Sequence, residues 1–483
     1  MIVAGDGTVK LEPVLSDGTA DFSLWQLHTA ELGDSSYIVV SGGVAAVVDP
    51  QRDTPRYTAA LDQLGPRLVA VVETHMHNDY LSGGPELARI GSAAYVVPEG
   101  SGYEGRHQPV SERDEIPVGR VRLRPLFTPG HTPNHLSYAI VVEGAVLCVL
   151  SGGSLLVGAV GRTDLISPEQ TEALTRRQYR SAAKIARLPE PVVVGPTHGG
   201  GSFCTSSPAS DETWTTVGKE KRRNPALLAA DEASFIRQQL EGLSPYPAYY
   251  AEMGPINRGG SRPWPGRPLE ALSADRVHTL IAEGTVLIDT RPRKQFAASH
   301  IPGSTNIELE GPFSAYLGWI FPMRSRFVLV SRSGEEAGEA VRQAARIGID
   351  TIAGWLAGGV TAWEEAEFAL ISYPTIAMQQ LQQERQVAGD RKVLDVRQDS
   401  EWNSGHFPGA AHVPIQSVPA QAAELAAGGR KLYVHCASGY RAGIAASLLQ
   451  AAGADVVHVN GGIEDWARAG DPIDTPDHGS VMR

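Results

Sequence analysis

A repeated motif in the C-terminal half of the chain constrains the fold more than any other feature of the sequence. The first copy contains Asp289–Arg291 followed by His300–Gly303, and the second contains Asp395–Arg397 followed by His406–Gly409 at the same spacing. Both copies then run through an apolar strand, a loop and a helical stretch to a Gly-Gly and Trp signature. Because internal repeats mark duplicated structural units, we expect two tandem α/β domains, each a small parallel sheet with helices on both faces.

The N-terminal part of the chain has a different pattern. Up to about residue 215, short β-branched runs alternate with Gly-rich turns, which predicts an α/β fold with buried strands. Residues 243–268 are rich in Pro, Gly and Tyr, and this density of breakers predicts a linker without regular secondary structure. The predicted organisation is an N-terminal domain over 1–242, a linker over 243–268, repeat domains over 269–373 and 374–475, and a tail over 476–483.

Charge and cysteine usage narrow the classes of function. A formal net charge of −12 argues against a surface that binds nucleic acid, which needs a basic field. No apolar run approaches the roughly 18 residues that cross a bilayer, and the N-terminus lacks the features of a secretory signal. The cysteines, Cys148, Cys204 and Cys436, have no CxxC spacing and suit a reducing compartment. We therefore expect a cytoplasmic protein that contacts neither a membrane nor nucleic acid.

Cys436 lies where a predicted strand passes directly into a predicted helix. The strand is Lys431–His435, and an apolar helical stretch begins after Arg441. At the start of a helix, unpaired backbone N–H groups and the helix dipole stabilise an anion such as a thiolate or a persulfide. Arg441 adds a planar cationic group for a sulfonate or sulfite oxygen. The anion-binding loop is predicted to comprise Ala437, Ser438, Gly439 and Tyr440.

The second copy resembles the rhodanese family of sulfurtransferases over residues 376–475. The resemblance rests on a Cys-x4-Arg loop between a strand and a helix, preceded by the Asp-x-Arg and His-x-Pro-Gly segments in the same order. The four-residue gap is that of family members that handle sulfur, whereas relatives with a longer loop bind phosphate. The resemblance implies that Cys436 is a catalytic residue that carries sulfane sulfur as a persulfide, with Arg441 beside it.

The loop of the first copy lacks this chemistry. It follows the strand Phe327–Val330 and reads Ser331–Glu336, without a cysteine and with two acidic residues. Carboxylates at this position would repel a sulfur oxyanion. The first copy is therefore predicted to be a pseudo-rhodanese domain.

A second group of chemistry-bearing residues lies in the N-terminal part of the chain. His75, His77 and Asp79 follow an apolar run, and His131 and His198 lie in two Gly/Pro-rich turns further along. Loops at strand ends of α/β folds are where ligands bind. Three histidine-bearing turns of this kind favour one metal site.

This pattern resembles the metallo-β-lactamase superfamily over about residues 20–205, with Asp49 in the place of the early structural aspartate. The chain is most similar to persulfide dioxygenases, and to bacterial fusions of such an enzyme with a pseudo-rhodanese and a rhodanese; Gly161–Asp164 and the Thr-Pro-Gly-His-Thr turn match them. In those enzymes two histidines and one carboxylate hold one Fe(II), which implies His75 and His131 as ligands here. The expected fold class is α/β, an αββα metallo-β-lactamase sandwich followed by two rhodanese-like α/β domains.

The carboxylate ligand of that family does not map onto this chain. Gly153 stands at its position, and Tyr80 stands where many relatives have a histidine. Loss of an anionic ligand weakens the binding of a divalent ion. Three outcomes stay open: a two-histidine Fe(II) site, one per chain, with water or a halide in the vacancy; another metal such as zinc, held by His77, Asp79 and His198; or no metal.

The resemblance implies an enzyme of sulfide detoxification. It would oxidise a low-molecular-weight persulfide to sulfite at the N-terminal iron site and transfer sulfane sulfur through Cys436, with persulfide, thiosulfate and sulfite as its small-molecule substrates. The alternatives are a sulfurtransferase whose N-terminal domain is a binding or assembly module, and a zinc-dependent thioester or lactam hydrolase.

Two further residues and the oligomeric state complete these expectations. Cys204, on a Gly-rich loop after His198, occupies the place of a cysteine that takes sulfur into the dioxygenase site of the fused relatives. Arg162 either meets an anionic substrate or pairs with Asp164. The resemblance also implies a homo-oligomer, since fusions of this type often form one.

Overall fold

The computed structural model describes residues 2–4, 7–9, 11–16, 22–206, 210, 212–264, 266–385, 392–468 and 473–475. The chain divides into two compact units, Met1–Gly266 with Ala345–Gly348 and Arg267–Ala344 with Ile349–Arg483. The predicted tail over 476–483 lies outside the described residues.

Strands and short helices alternate in the first unit. Its strands are β1 (Ile2–Ala4), β2 (Gly7–Val9), β3 (Leu11–Ser16), β4 (Phe22–Thr29), β5 (Asp34–Ser41), β6 (Val44–Val48), β7 (Arg67–Val72), β8 (Ala94–Pro98), β9 (Gln108–Val110), β10 (Ile116–Val118), β11 (Val121–Phe127), β12 (Leu136–Val142), β13 (Ala145–Gly152), β14 (Val193–Pro196) and β15 (Thr215–Thr216). Its helices are α1 (Pro55–Leu64), α2 (Gly84–Gly91), α3 (Pro168–Ile185), α4 (Val217–Arg223), α5 (Pro225–Leu228), α6 (Glu232–Glu241) and α7 (Tyr250–Gly259).

Two sheets face each other in the first unit, and helices cover their outer faces. One sheet has the order β3-β4-β5-β6-β7-β8-β9 and the other β10-β11-β12-β13-β14-β15. An apolar core from both sheets, including Val72 and Ile140, fills the space between them. Helices α1 and α2 pack on the first sheet through Tyr57 and Leu87, while α3 and α6 contribute Ile185 and Phe235 to the core outside the second. The predicted αββα sandwich is confirmed.

The second unit contains two sheets with the same strand order. Its strands are β16 (Ala271–Leu272), β17 (Val286–Asp289), β18 (Thr305–Asn306), β19 (Phe327–Val330), β20 (Ile352–Leu356), β21 (Thr375–Ala377), β22 (Lys392–Asp395), β23 (Ala411–His412), β24 (Leu432–His435) and β25 (Val456–Asn460). The orders are β16-β20-β19-β17-β18 and β21-β25-β24-β22-β23, and all neighbouring strands are parallel. The sequence repeat is therefore a repeat of one parallel α/β fold, and the prediction of two tandem α/β domains, each with a small parallel sheet, is confirmed.

Helices connect the strands of both repeat domains. In the first domain they are α8 (Ala274–Ala282), α9 (Arg293–Ala298), α10 (Phe313–Ile320), α11 (Gly334–Arg346) and α12 (Gly359–Glu365). In the second they are α13 (Met378–Arg385), α14 (Asp399–Asn403), the 3-10 helix Ile415–Ser417, α15 (Val418–Ala427), α16 (Tyr440–Ala451) and α17 (Ile463–Arg468).

The repeated Asp-x-Arg motif is a buried ion pair that ties a strand end to the following turn. Arg291 contacts Asp289 at 2.6 Å and donates to the Ser299 carbonyl at 2.9 Å. Arg397 contacts Asp395 at 2.6 Å and donates to the backbone carbonyl before His406 at 2.8 Å. These paired charges, each bound to a carbonyl eight residues further along, account for the identical spacing of the two copies.

The segment predicted as an irregular linker contains helix α7, so that prediction is wrong for Tyr250–Gly259. Pro255 lies inside the helix, and local propensity alone argued against one. Packing overrides it: Met253 is buried, and Asn257 donates to the backbone carbonyls of His77 and Tyr80, each at 2.8 Å. The helix therefore belongs to the N-terminal unit and supports its histidine loop.

Within the described residues, none of the helices combines the length and apolar character needed to cross a lipid bilayer.

Candidate functional site

The histidines predicted from the sequence meet at one edge of the sandwich. The loop after β7 carries His75, His77 and Asp79, the turn after β11 carries His131, and His198 follows β14. All five side chains are buried. The strand ends therefore converge as the sequence predicted.

Hydrogen bonds fix which ring nitrogen of His75 and His131 faces the centre of this cluster. Thr74 donates its hydroxyl proton to Asp49 at 2.8 Å, so its oxygen accepts from His75 Nδ1, also at 2.8 Å. His131 Nδ1 donates to the Arg162 carbonyl at 2.8 Å. Since both Nδ1 atoms carry the proton, both Nε2 atoms present a lone pair, as in a metal-binding imidazole.

His198 completes a group of three. Its Nδ1 lies 2.9 Å from Asp34 and 3.1 Å from Asp79, and its Nε2 lies 3.4 Å from His75 Nε2. One ligand atom from each of His75, His131 and His198 lies within 4.8 Å of the others. His131 Nε2 is buried and has no hydrogen-bond partner among the residues that the structure describes. An orphaned acceptor facing two other imidazoles fits a divalent ion, so these residues can hold the metal that the fold implies.

The charge state differs among the three histidines. Burial, followed by the neighbouring histidines, holds the pKa of His75 and of His131 well below the usual value. Burial also opposes protonation of His198, but Asp79 and Asp34 outweigh it and raise its pKa to about 9. Burial and the charge of Asp79 in turn raise the pKa of Asp34. His198 is thus held against carboxylates as a metal-bound histidine commonly is.

His77 takes part in a separate buried network. Its Nε2 lies 3.1 Å from Glu73, 3.3 Å from Asp49 and 3.1 Å from the Tyr80 hydroxyl. Burial opposes its protonation, yet Asp49 and Glu73 raise its pKa to about 10. Tyr80, which the sequence identified only as a missing ligand, therefore closes this network. Two further groups of suitable spacing share its members: His77, Asp79 and His198, and Asp49, Glu73 and His77.

Gly153 lies against the ring of His131. A Cβ atom at this position would stand 2.3 Å from His131 Cδ2 and 2.6 Å from Cγ. The backbone N–H of Gly153 donates to His135 Nε2 at 2.9 Å. The space that a carboxylate ligand would need is therefore occupied by an imidazole.

We expect Gly153→Asp to lower, and not to raise, the metal content of the purified chain. The new side chain must displace His131, at a cost of about 1–3 kcal/mol in the free energy of unfolding for overpacking of this kind. Gly259→Asp is the matched control, because among the described residues nothing beyond its chain neighbours and its own helix backbone lies within 4 Å of a Cβ there. Elemental analysis and thermal unfolding check the prediction, and a gain of metal in Gly153→Asp alone would contradict it.

Arg162 and Cys204 lie beside the cluster and are both buried. Arg162 pairs with Asp164 at 2.7 Å, donates to the Phe203 carbonyl at 3.0 Å and stacks over the Tyr246 ring at 4.5 Å. Of the two roles predicted for Arg162, these contacts favour the structural pair. Burial, followed by the charges of Asp79 and Asp34, raises the pKa of Cys204 well above its usual value. The role predicted for Cys204 as a sulfur carrier stays a prediction.

The second chemical group is the loop after β24, at the centre of its sheet. Cys436 is buried, and its Sγ accepts a hydrogen bond from the backbone N–H of Gly439 at 3.1 Å. Gly439 has a φ of +97°, and α16 begins at the next residue, Tyr440. The sulfur thus lies before the start of a helix with an amide directed at it, as the sequence predicted. Ala437 and Ser438 are exposed at the rim of the loop.

Arg441 is held by a residue that the sequence analysis missed. Its two terminal nitrogens contact the carboxylate of Glu401 at 2.6 and 2.7 Å. Burial opposes ionisation of Glu401, but Arg441 outweighs it and lowers the pKa of this carboxyl group. Glu401 lies four residues after the Asp-x-Arg motif, and only the fold reveals that it reaches the cysteine loop.

The matching loop of the first copy is held by contacts between its own residues. Arg332 contacts Glu336 at 2.5 Å, and the Ser331 and Thr290 hydroxyl groups lie 2.8 Å apart. The carboxylate of Glu336 also accepts from the Arg332 backbone N–H at 3.1 Å. Glu336 therefore holds Arg332 within this loop, and the absence of sulfur chemistry from this copy stays a prediction.

We expect Gly439→Ala to reduce sulfur transfer at the cysteine loop by at least about tenfold. A side chain at φ +97° costs about 1–3 kcal/mol in local strain. Its Cβ would also lie 2.6 Å from Asn460 Oδ1. Gly429→Ala has positive φ but open space, so it controls for backbone strain alone. A thiosulfate:cyanide sulfurtransferase assay compares the two, and equal activities would contradict the prediction.

Comparisons with known proteins divide the chain in the same way. The family model for the metallo-beta-lactamase superfamily matches residues 30–198, and that for the rhodanese-like domain matches 273–366 and 377–469. A hydroxyacylglutathione hydrolase of Gloeobacter violaceus is 34% identical over 148 residues, which are 30% of this chain and 54% of that protein. The chain thus spans about half the length of this relative.

Two further proteins are similar to this chain over a larger share of their own length. The human mitochondrial persulfide dioxygenase ETHE1 is 28% identical over 196 residues, which are 40% of this chain and 70% of that protein. The crystal structure of a metallo-beta-lactamase from Staphylococcus aureus is 28% identical with a TM-score of 0.63, covering 69% of this chain and 98% of that one. The chain therefore has the architecture of a metallo-beta-lactamase superfamily domain followed by two rhodanese-like domains.

Proposed function

We propose that this chain is an enzyme of sulfur metabolism that transfers sulfane sulfur through a persulfide on Cys436. The observation that carries the proposal is the Gly439 N–H at 3.1 Å from Cys436 Sγ, immediately before a helix begins. A backbone amide and the helix N-terminus stabilise negative charge on sulfur both before and after loading. The similarity of this domain to the rhodanese family supports the same reaction.

The residues of the loop account for each step of this reaction. The Cys436 thiolate attacks the outer sulfur of thiosulfate, the S–S bond of the donor breaks, and its electron pair leaves with sulfite. An acceptor such as cyanide or a thiol then takes the outer sulfur from the Cys436 persulfide and restores the thiolate. Cys436 itself is buried, and the two residues that follow it, Ala437 and Ser438, are exposed, so small donors and acceptors would approach from their side of the loop.

A second activity is proposed for the N-terminal domain, the oxidation of a low-molecular-weight persulfide to sulfite and the free thiol. Its support is the set of three Nε2 atoms of His75, His131 and His198, together with the similarity to human persulfide dioxygenase. In balance, one persulfide, one O2 and one water yield one thiol, one sulfite and two protons, and O2 is the oxidant. A bound Fe(II) would supply the open coordination positions for O2 and the persulfide sulfur.

The chain's own residues define how this site differs from the family pattern. His198 takes the third position because Gly153 offers no carboxylate, and Asp34 with Asp79 orients its ring. Thr74 and the Arg162 carbonyl orient the other two rings. If both activities are present, sulfite made by one domain is a substrate for the other, and fusion raises its local concentration.

Two alternatives have different metal contents. A hydrolase with a dinuclear zinc site would need ligands at Tyr80 and Gly153, and the hydroxyacylglutathione hydrolases among the relatives are the reason to test for it. A chain that only transfers sulfur would hold no metal and consume no O2.

The experiment combines three measurements on the full chain. We expect thiosulfate, added without oxygen, to leave an adduct of one sulfur atom on the Cys436 peptide in a mass spectrum, with the Cys148 peptide unchanged. We also expect about one iron per chain and O2 uptake on addition of glutathione persulfide. An unmodified Cys436 would refute the first proposal. About two zinc ions, or no metal and no O2 uptake, would refute the second.

A further inference from the structure

One peptide group of the cysteine loop faces two charged groups on opposite sides. The N–H of Gly439 and the C=O of Ser438 belong to the same planar trans peptide and therefore point in opposite directions. The N–H donates to Cys436 Sγ at 3.1 Å. The orientation of this peptide thus decides whether the loop presents a donor or an acceptor to the sulfur.

The opposite side of this peptide is held by the first repeat domain. Arg293, at the start of α9, donates from Nη2 to the Ser438 carbonyl at 3.3 Å. The same side chain donates from Nε to Asn460 Oδ1 at 3.2 Å and pairs with Glu308 at 2.6 Å. It is largely buried, with 24% of its side chain exposed. Three contacts from one planar group fix the guanidinium relative to the loop.

Neighbouring contacts show that the first repeat domain touches the cysteine loop at more than one residue. The Tyr440 hydroxyl donates to the Glu308 carbonyl at 3.0 Å, and the Tyr316 and Tyr440 rings lie 5.6 Å apart. The next carbonyl of the loop, that of Gly439, accepts from His458 Nε2 at 3.0 Å within the second domain. Side chains outside the loop therefore bind both of these carbonyls.

We infer that Arg293 of the cysteine-less repeat is a positioning residue for the sulfur site of the other repeat. By binding the Ser438 carbonyl, it aims the Gly439 N–H at Cys436 and polarises that peptide. A domain without a nucleophile thereby becomes part of the sulfurtransferase. The inference rests on the proposed reaction at Cys436 and adds a residue that neither the cysteine motif nor the repeat signature contains.

Arg293 acts on the sulfur mainly through its hydrogen bond to the Ser438 carbonyl, and less through its positive charge. Glu308 neutralises the guanidinium locally, so its main effect on the sulfur passes through the peptide and not through long-range attraction. Amide donors aimed at developing charge act on the transition state more than on substrate binding. Loss of the contact should therefore lower kcat while KM for thiosulfate changes little.

The test compares Arg293→Ala, Arg293→Lys and the control Arg342→Ala in the full chain. Arg342 lies in α11 of the same domain and pairs with Glu339 of the same helix at 2.8 Å, so this arginine also has a carboxylate partner. We expect Arg293→Ala to lower kcat by about 10- to 100-fold, by analogy with the loss of an oxyanion donor. Arg293→Lys keeps a donor for the Ser438 carbonyl and should recover part of kcat, and Arg342→Ala should stay within about twofold of the parent chain.

Single-turnover loading of Cys436, followed by the mass of its persulfide, supplies a second readout that does not depend on the acceptor. Slower loading in Arg293→Ala, with recovery in Arg293→Lys, is the expected result. Unchanged kcat and loading in Arg293→Ala would overturn the inference. Equal losses of kcat and loading rate in Arg293→Lys and Arg293→Ala would also overturn it, because the hydrogen-bond donor of lysine would then make no difference. If the parent chain itself forms no persulfide at Cys436, the proposed function fails, and the inference fails with it.

Discussion

Cys436→Ser is expected to abolish thiosulfate-dependent sulfur transfer, with activity at least about 1000-fold below that of the parent chain, as when a catalytic nucleophile is removed. Serine is close in size to cysteine, and the Gly439 N–H can still donate to its oxygen, so we expect the loop to keep its shape. A hydroxyl group stays protonated near neutral pH and cannot form a persulfide. The measurement is cyanolysis of thiosulfate by the full-length variant.

The control for this variant is Cys148→Ala. Cys148 is buried in the core between the two sheets of the N-terminal unit, and burial raises its pKa above the usual value. It is therefore an inert thiol, and its removal should leave sulfur transfer unchanged. Retention of more than about a tenth of the activity in Cys436→Ser would show that another group carries the sulfur.

Those parts of the fold that depend on local pattern could be predicted from the sequence. The sequence repeat predicted two sheets of the same kind because its Asp-x-Arg pairs and His-x-Pro-Gly turns are local structures with fixed spacing. The convergence of His75, His131 and His198 was predictable because each follows a β-strand of a sandwich. Asp49, predicted as the structural aspartate, indeed accepts from both the backbone and the hydroxyl of Thr74.

What could not be predicted depends on contacts between distant segments. Helix α7 forms despite Pro255 because Asn257 binds two carbonyls of the histidine loop. Arg293 and Glu401 carry no motif, and only the packed chain brings them to the cysteine loop. The sequence revealed that Gly153 removes a carboxylate, but not that the His131 ring fills the space it leaves.

The second prediction with a large expected effect concerns the residues that hold the metal. His131→Ala should reduce bound metal from about one ion per chain to below about a tenth. Only two imidazoles would remain in the group of three, and Gly153 cannot supply a replacement ligand. The variant removes a buried ring nitrogen that has no hydrogen-bond partner in the described part of the chain, and the other ring nitrogen binds a carbonyl, so no ion pair is broken there. Elemental analysis after dialysis against excess metal-free buffer measures the loss.

A second variant, His77→Ala, distinguishes this ligand set from the overlapping set of His77, Asp79 and His198. His77 belongs to the group with Asp79 and His198 and not to the group with His75 and His131. If the three Nε2 atoms hold the ion, His77→Ala should keep most of the metal, and His107→Ala, which changes a histidine outside the cluster, should keep all of it. If the ion is held by His77, Asp79 and His198 instead, His77→Ala loses the metal while His131→Ala retains it, because each variant removes a ligand from only one of the two sets.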